Sequence, residues 1–154
     1  MKWGLVLLGT PAVLIALQGV IAIAGEDRLD LTAYRWKNRL LLVFSPSEEF
    51  PAFKEFMKHV SEQATGVSER HLLVFSIVNS GLSRMGERVL TPDEAESLRR
   101  EFGVKGDAFR VVLIGKDGLV KLSQGVIKLT EIFAVIDSMP MRRQEMHQPG
   151  QVAE

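Results

Sequence analysis

Residues 39–44, RLLLVF, and residues 71–78, HLLVFSIV, are two continuous apolar runs of strand length. Apolar residues that follow one another without alternation are typical of strands buried on both faces of a sheet. Between the runs, apolar residues recur at the spacing of one helix face: Phe53, Phe56, Met57, Val60 and Ala64. Gly66 then offers a stop for that helix. Strand, helix and strand in this order predict a parallel βαβ unit.

The second half of the chain predicts two more helices and a hairpin. Residues 91–94, TPDE, have the form of a capping box with proline at the first helical position. Residues 109–114 and 119–122 are apolar runs joined by an Asp-Gly turn, which predicts an antiparallel pair of strands. A last apolar helix face covers residues 129–139, and Pro140 is predicted to end that helix.

The element order β-α-β-α-β-β-α predicts an α/β fold, a thioredoxin-like sandwich over residues 30–141. We expect a four-stranded mixed sheet with the strands in the spatial order second, first, third, fourth. The first two strands should be parallel, and the fourth should lie at the edge. Residues 79–90 are expected to form an irregular loop, and residues 142–154 a polar tail.

The first 24 residues have the features of a signal peptide. Lys2 is the only charge before a long uncharged run, and the run ends in Ala22-Ile23-Ala24, a small-residue cleavage pattern. The alternative is an uncleaved N-terminal anchor, because more than 18 apolar residues can span a bilayer. In both cases the domain would lie outside the cytoplasm, in the periplasm or secreted, because Lys2 stays inside.

The composition excludes several classes of protein. Lysine plus arginine and aspartate plus glutamate both number 19 in 154 residues, so a strongly basic nucleic-acid binder is not expected. The chain has no cysteine, which excludes disulfides, thiol catalysis and any CxxC redox motif. The three histidines lack HExxH-like spacing, and no nucleotide-binding glycine motif is present, so neither a metal nor another cofactor is predicted.

Several segments resemble known families. Residues 102–125, FGVKGDAFRVVLIGKDGLVKLSQG, resemble the final strand region of thioredoxins and peroxiredoxins. Residues 34–47, 113–122 and 136–146 more closely resemble a domain of unknown function in exported bacterial proteins. That domain is similar to the DUDES-type, peroxiredoxin-like domain of animal sushi-repeat and coiled-coil-domain matrix proteins. The resemblance covers about residues 30–146 and implies a thioredoxin-like fold and export, without an established reaction.

The chain departs from redox thioredoxins at the positions that carry their chemistry. The attacking thiols of that family belong in the loop after the first strand, where this chain has Ser45-Pro46-Ser47-Glu48-Glu49. The proline before the third core strand is also missing, since residues 107–109 are Asp-Ala-Phe. A serine hydroxyl is a nucleophile only beside a base. These departures favour a non-redox binding or adaptor module.

Polar residues follow the first two predicted strands: Ser47, Glu48 and Glu49 after the first, and Arg84 after the second. Because α/β sheets bind ligands at the carboxyl ends of their strands, we expect these four residues on one binding rim. Arg142 and Arg143 form a second candidate surface for a carboxylate or phosphate. The competing interpretations are turn and cap residues for the first set, and a solvated helix end for the second.

The alternative function is a cysteine-independent enzyme or antioxidant. It would use Ser47 with the neighbouring carboxylates, or a metal bound by soft donors near the C-terminus, which are Met139, Met141, Met146 and His147. The expected partner is an envelope or extracellular protein or a small ligand. Nucleic acid is not an expected partner, and a membrane is one only if the leader remains uncleaved.

Overall fold

A computed structural model describes residues 28–148. The signal peptide or anchor predicted at residues 1–24 lies outside the described residues, and so does the end of the chain from residue 149. A short 3-10 helix, Leu31–Tyr34, precedes the first strand. Between residues 28 and 148, no helix is both long and apolar enough to cross a membrane.

The centre of the molecule is one mixed sheet. Its strands are β1 (Arg39–Ser47), β2 (Leu72–Ser80), β3 (Arg84–Met85), β4 (Arg88–Val89), β5 (Arg110–Ile114) and β6 (Val120–Gln124). The spatial order is β4-β3-β2-β1-β5-β6. β1 and β2 are parallel, and β5 is antiparallel to both β1 and β6. The order expected for the four longer strands is therefore confirmed.

The prediction of four strands is wrong, because the sheet has six. The segment interpreted as an irregular loop contains the hairpin β3–β4, which adds to the outer edge of β2. Met85 lies opposite Phe75, and Gly86 supplies the positive φ of +55° that the turn needs. The hairpin provides hydrogen-bond partners for backbone groups of β2 that would otherwise form a bare edge.

The described residues include five α-helices: α1 (Pro51–Glu62), α2 (Ala64–Glu69), α3 (Pro92–Glu101), α4 (Leu129–Ser138) and α5 (Pro140–His147). The capping box of α3 is present, with Thr91 Oγ1 accepting from Glu94 N and Glu94 Oε2 accepting from Thr91 N. Gly66 lies inside α2 and does not end the helix as predicted. A side chain there would come within 3.0 Å of the Phe133 ring, so glycine permits α2 to approach α4.

Pro140 was expected to end the last helix, and residues 142–154 to form a polar tail. The first point is confirmed, because α4 ends at Ser138 and Met139 is its cap. The second is corrected up to His147, because Pro140 begins the additional helix α5. Proline is well tolerated at the first helical position, where its missing N–H has no intrahelical partner to lose. The same residue can therefore end one helix and start the next.

The first strand divides the core into two halves. Leu41 and Val43 face the cluster under α1 and α4, whereas Leu40, Leu42 and Phe44 face the cluster under α3. Leu41 and Phe44 are fully buried, which confirms the predicted central position of this strand. A strand that is shielded on both faces explains why its sequence is continuously apolar.

Candidate functional site

The loops after β1 and β2 meet at one edge of the sheet. Glu48 Oε1 accepts a hydrogen bond of 2.7 Å from the backbone N–H of Leu82. Gly81 has a φ of +124°, and a side chain on it would lie 2.7 Å from the Glu48 carboxylate. Glycine at this position therefore permits the two loops to touch. The expectation that both loops share one rim is confirmed for Glu48 and the Gly81–Leu82 pair.

A cavity of about 520 Å³ opens beside this bridge, between the end of β2 and the start of α3. Its polar lining includes Asn79, Ser83, Thr91, Asp93, Glu96 and Arg99. Leu82 and Val89 supply exposed apolar surface at its edge. A cavity of this size with a few convergent polar groups is typical of ligand and partner sites. We call this cavity, together with the loops that border it, the strand-end cleft.

Arg99 is the most buried charge at the strand-end cleft, with 4% of its surface exposed. Its Nη2 donates to the carbonyls of Ser45 at 2.8 Å and Ile77 at 3.0 Å, so it links the ends of β1 and β2. Burial lowers the pKa of the guanidinium, and the nearby Glu96 charge opposes that shift. Arg99 forms no ion pair within the part of the chain that the structure describes.

None of the four residues predicted at the rim lines this cavity, although Glu48 bonds to Leu82 at its edge. Ser47 ends β1, and its carbonyl accepts a hydrogen bond from Ser45 Oγ at 2.9 Å. Glu49 is exposed and pairs with Lys54 at 2.8 Å. Arg84 lies opposite Ser76 in β3, because the hairpin folds back along β2. It is therefore about 13 Å from the end of that strand, given the rise per strand residue.

Arg142 and Arg143 lie on α5, near the opposite end of β1, so the structure does not bring them to the strand-end cleft. Arg142 is mostly buried and donates to the carbonyl of Glu69 at 2.8 Å and to Asp137 at 3.3 Å. The interpretation of both arginines as a solvated helix end is therefore wrong for Arg142, while Arg143 is exposed.

Arg142 belongs to a group of charged residues that the sequence did not reveal, which we call the basal cluster. Its centre is Glu145 on α5, whose carboxylate contacts Arg39 at 3.1 Å, Lys116 at 2.7 Å and Arg142 at 3.6 Å. Burial raises the pKa of Glu145, but hydrogen bonds from Lys116 and Arg39 bring it below its usual range. The partners are far apart in the chain, so no local pattern indicates them.

His71 extends the basal cluster at the start of β2. Its Nδ1 accepts from Lys116 Nζ at 2.8 Å, which requires the neutral imidazole. Burial and the Lys116 charge lower the pKa of His71. The backbone at His71 has a positive φ of +47°, a conformation that is uncommon for residues other than glycine.

Within residues 28–148, no side-chain hydrogen bond joins Ser47 to Glu48 or Glu49, the groups proposed for an enzyme. Ser47 makes no side-chain hydrogen bond there, and the adjacent Glu48 carboxylate is already bonded to Leu82. No group of three histidine, aspartate or glutamate residues in this range is placed to hold a metal ion. His147 is bonded through Nδ1 to the carbonyl of Arg143, and Met146 is exposed.

Residues 30–145 match the family model described as a domain of unknown function, DUF4174. The chain belongs to this family. It is similar to coiled-coil domain-containing protein 80 of Danio rerio, with 29% identity over 133 residues, 75% of this chain and 15% of that protein. It is also similar to sushi repeat-containing protein SRPX of Homo sapiens, with 26% identity over 114 residues, 71% of this chain and 25% of that protein. The DUF4174 chain thus spans a quarter or less of the length of these relatives.

Solved structures show the fold class of this DUF4174 chain. A reduced 2-Cys peroxiredoxin of Plasmodium vivax superposes with a TM-score of 0.58 at 18% identity, over 75% of this chain and 85% of that one. Thioredoxin peroxidase I of Plasmodium yoelii gives 0.56 at 18% identity, over 82% and 87%. The predicted thioredoxin-like α/β class is confirmed. The chain has no cysteine, so the thiol chemistry of a 2-Cys enzyme has no counterpart in it.

The strand-end cleft contains a residue that the sequence interpretation missed. Arg99 follows Ala95 by four residues, so it lies on the inner face of α3 with the apolar positions. An arginine within an apolar helix stripe is the signal that could have indicated it, because a buried charge requires specific partners.

Proposed function

We propose that this chain is an exported, non-redox thioredoxin-fold domain that binds a partner molecule through the strand-end cleft. The observation that carries the proposal is the cavity of about 520 Å³ between the carboxyl end of β2 and the start of α3, in a chain without cysteine. Ligands of α/β sheets bind preferentially at this edge. The exposed Leu82 and Val89 beside polar Asn79 and Glu96 suit a protein segment with both apolar and polar groups.

Export forms part of the proposal. It rests on residues 1–24, where an uncharged run ends in a small-residue cleavage pattern. The partner would then be an envelope or extracellular protein or a small ligand, encountered in the periplasm or outside the cell. The rest of the chain is compatible with that environment, since it has no free thiol that could form unwanted disulfides.

Capture of a partner by cleft variants tests this function. Leu82→Asp changes a leucine at the cleft that is 55% exposed. The control Leu119→Asp changes a leucine at the β5–β6 turn that is 59% exposed. We expect Leu82→Asp to lose a partner that the wild-type chain and Leu119→Asp both retain from envelope extract or culture fluid. The bound protein is identified by mass spectrometry.

A second variant tests the competing surface. Arg143→Glu reverses an exposed charge on α5 without altering the ion pairs of the basal cluster. If the partner survives Leu82→Asp and is lost with Arg143→Glu, the cleft is not the binding surface and α5 takes its place.

A further inference from the structure

The structure contains two almost completely buried arginines with different environments. Arg39, in the basal cluster, is 1% exposed, and its Nη1 and Nη2 both contact the carboxylate of Glu145. Arg99 is 4% exposed, and its Nη2 contacts are backbone carbonyls. Buried charges are normally paired, because isolated burial of a charge is costly. Among the described residues Arg99 thus forms no ion pair at contact distance, and Glu96 is the carboxylate whose charge acts on it.

Arg99 also lines a second, smaller cavity of about 300 Å³, between the end of α3 and the loop at residues 103–106. Arg100 and Lys105 line this cavity as well, and Glu96 is its single acidic residue. Three cations and one carboxylate leave a positive balance around a space that is open to solvent. Both cavities share Asn79, Glu96 and Arg99, so the smaller one adjoins the strand-end cleft.

Hydrogen-bond donors remain available at this smaller cavity. A guanidinium has five N–H groups, and those of Arg99 meet three carbonyls, one of them at the long distance of 3.5 Å. The backbone N–H of Gly106 donates to no other residue in the described range. Gly106 lies close to Asn79, because a side chain on it would come within 3.2 Å of that amide.

We infer that the cavity between Arg99, Lys105 and Gly106 binds an oxyanion, a carboxylate or phosphate group of the ligand. The inference rests on the proposed function, since it names the chemistry that one part of the cleft recognises. Arginine suits planar oxyanions because its N–H groups are arranged as a fork. Arg100 and Lys105 are exposed, so their attraction for the oxyanion is screened by salt. Arg99 is buried, so its attraction for the oxyanion is screened less.

The test is a titration of the isotope-labelled whole chain with inorganic phosphate and, separately, with acetate, at constant ionic strength. Amide resonances are followed by NMR. We expect saturable shifts confined to Asn79, Glu96 and residues 99–106. The double variant Arg100→Ala/Lys105→Ala should weaken the apparent affinity about tenfold. The matched control Lys54→Ala/Lys58→Ala removes two exposed cations of α1 and should leave the affinity unchanged.

Arg99→Gln should abolish the saturable shifts, and its thermal melting curve establishes whether it is folded. If Arg99→Gln does not fold, the variant at the exposed residues Arg100 and Lys105 still decides whether the cavity binds an oxyanion. Shifts that rise linearly with phosphate, or that spread over all surface cations, would overturn the site, and so would an unchanged affinity in the Arg100/Lys105 variant. Phosphate binding without acetate binding would assign the site to phosphate groups.

Partner capture distinguishes this inference from the function on which it rests. If Leu82→Asp loses the partner while phosphate and acetate give no saturable shifts, the cleft binds a partner and the oxyanion inference is wrong. If both anions bind at Arg99 and no partner depends on Leu82, the anion site stands and the partner-binding role of the cleft is wrong.

Discussion

The carboxylate of Glu145 lies against the guanidinium of Arg39, with Oε2 at 3.1 Å from Nη1 and Oε1 at 3.2 Å from Nη2. This contact joins the last described helix to the first strand across 106 residues of sequence. α5 contains no buried residue, so its attachment depends strongly on the ion pairs of Glu145.

Glu145→Gln should destabilise the fold by about 3 kcal/mol, because removing one partner leaves the buried Arg39 charge uncompensated. The free energy of unfolding is measured by urea denaturation. Glu49→Gln is the control, since it breaks the exposed pair with Lys54 and should cost less than about 1 kcal/mol. Equal effects of the two substitutions would show that the basal cluster contributes no more than a surface pair.

His71 should make stability depend on pH near neutrality. Its folded-state pKa lies below the ordinary value of 6.5, chiefly because burial disfavours the cation. Below pH 6.5 the unfolded chain therefore binds a proton that the folded chain does not, so the free energy of unfolding falls until the lowered pKa is reached. His71→Asn should remove this dependence while tolerating the positive φ. His59→Asn changes an exposed histidine and is the control, so this variant should retain the pH dependence of stability.

Glu145 should cause a second decline in stability at acid pH. Hydrogen bonds from Lys116 and Arg39 outweigh burial and lower its pKa from 4.5, so the unfolded chain binds the proton more readily. The stabilisation is complete above pH 4.5 and is lost as the pH falls through the lower folded-state value. Urea denaturation at a series of pH values should show a smaller decline in Glu145→Gln than in the wild-type chain. An identical acid profile would contradict this assignment.

Leu41→Ala should cost roughly 2–5 kcal/mol of unfolding free energy, the usual range for truncating a buried leucine. Leu41 is fully buried in the central strand, where the cavity left behind cannot readily collapse. Leu119→Ala, at an exposed leucine, should change stability by less than about 0.5 kcal/mol. A loss below that level at Leu41 would be incompatible with β1 at the centre of the sheet.

The exported chain should begin at Gly25, because Ala22-Ile23-Ala24 follows the uncharged run. The intact mass of protein recovered outside the cytoplasm measures this directly. A mass that still includes Lys2 would identify an uncleaved anchor and place the domain at a membrane surface.

The rate of insulin reduction by the purified chain should equal the buffer blank. Dithiol–disulfide exchange proceeds through a thiolate, and the chain has no cysteine to supply one. Activity above the blank that persisted through repeated purification would contradict a non-redox role.

Local patterns predicted most of the scaffold. The strand at residues 39–44 and the capping box at Thr91 could be predicted because each depends on residues that are close together in the sequence. The hairpin at residues 84–89 was missed because two-residue strands have no periodicity and form only against the edge of β2. At the candidate site, Glu48 could be placed near the second loop, whereas Arg84 could not, because its position depends on how that hairpin folds back.

The sequence by itself determined the α/β order, the buried first strand and the exclusion of thiol chemistry, since each follows from composition or from spacing along the chain. Only the tertiary structure decided that Arg39 is paired with Glu145 while Arg99 meets backbone carbonyls beside two cavities. In the sequence each of the two arginines has a leucine as an immediate neighbour, Leu40 beside Arg39 and Leu98 beside Arg99. Their difference arises because desolvation and pairing depend on groups brought together by folding, and those groups lie up to 106 residues away.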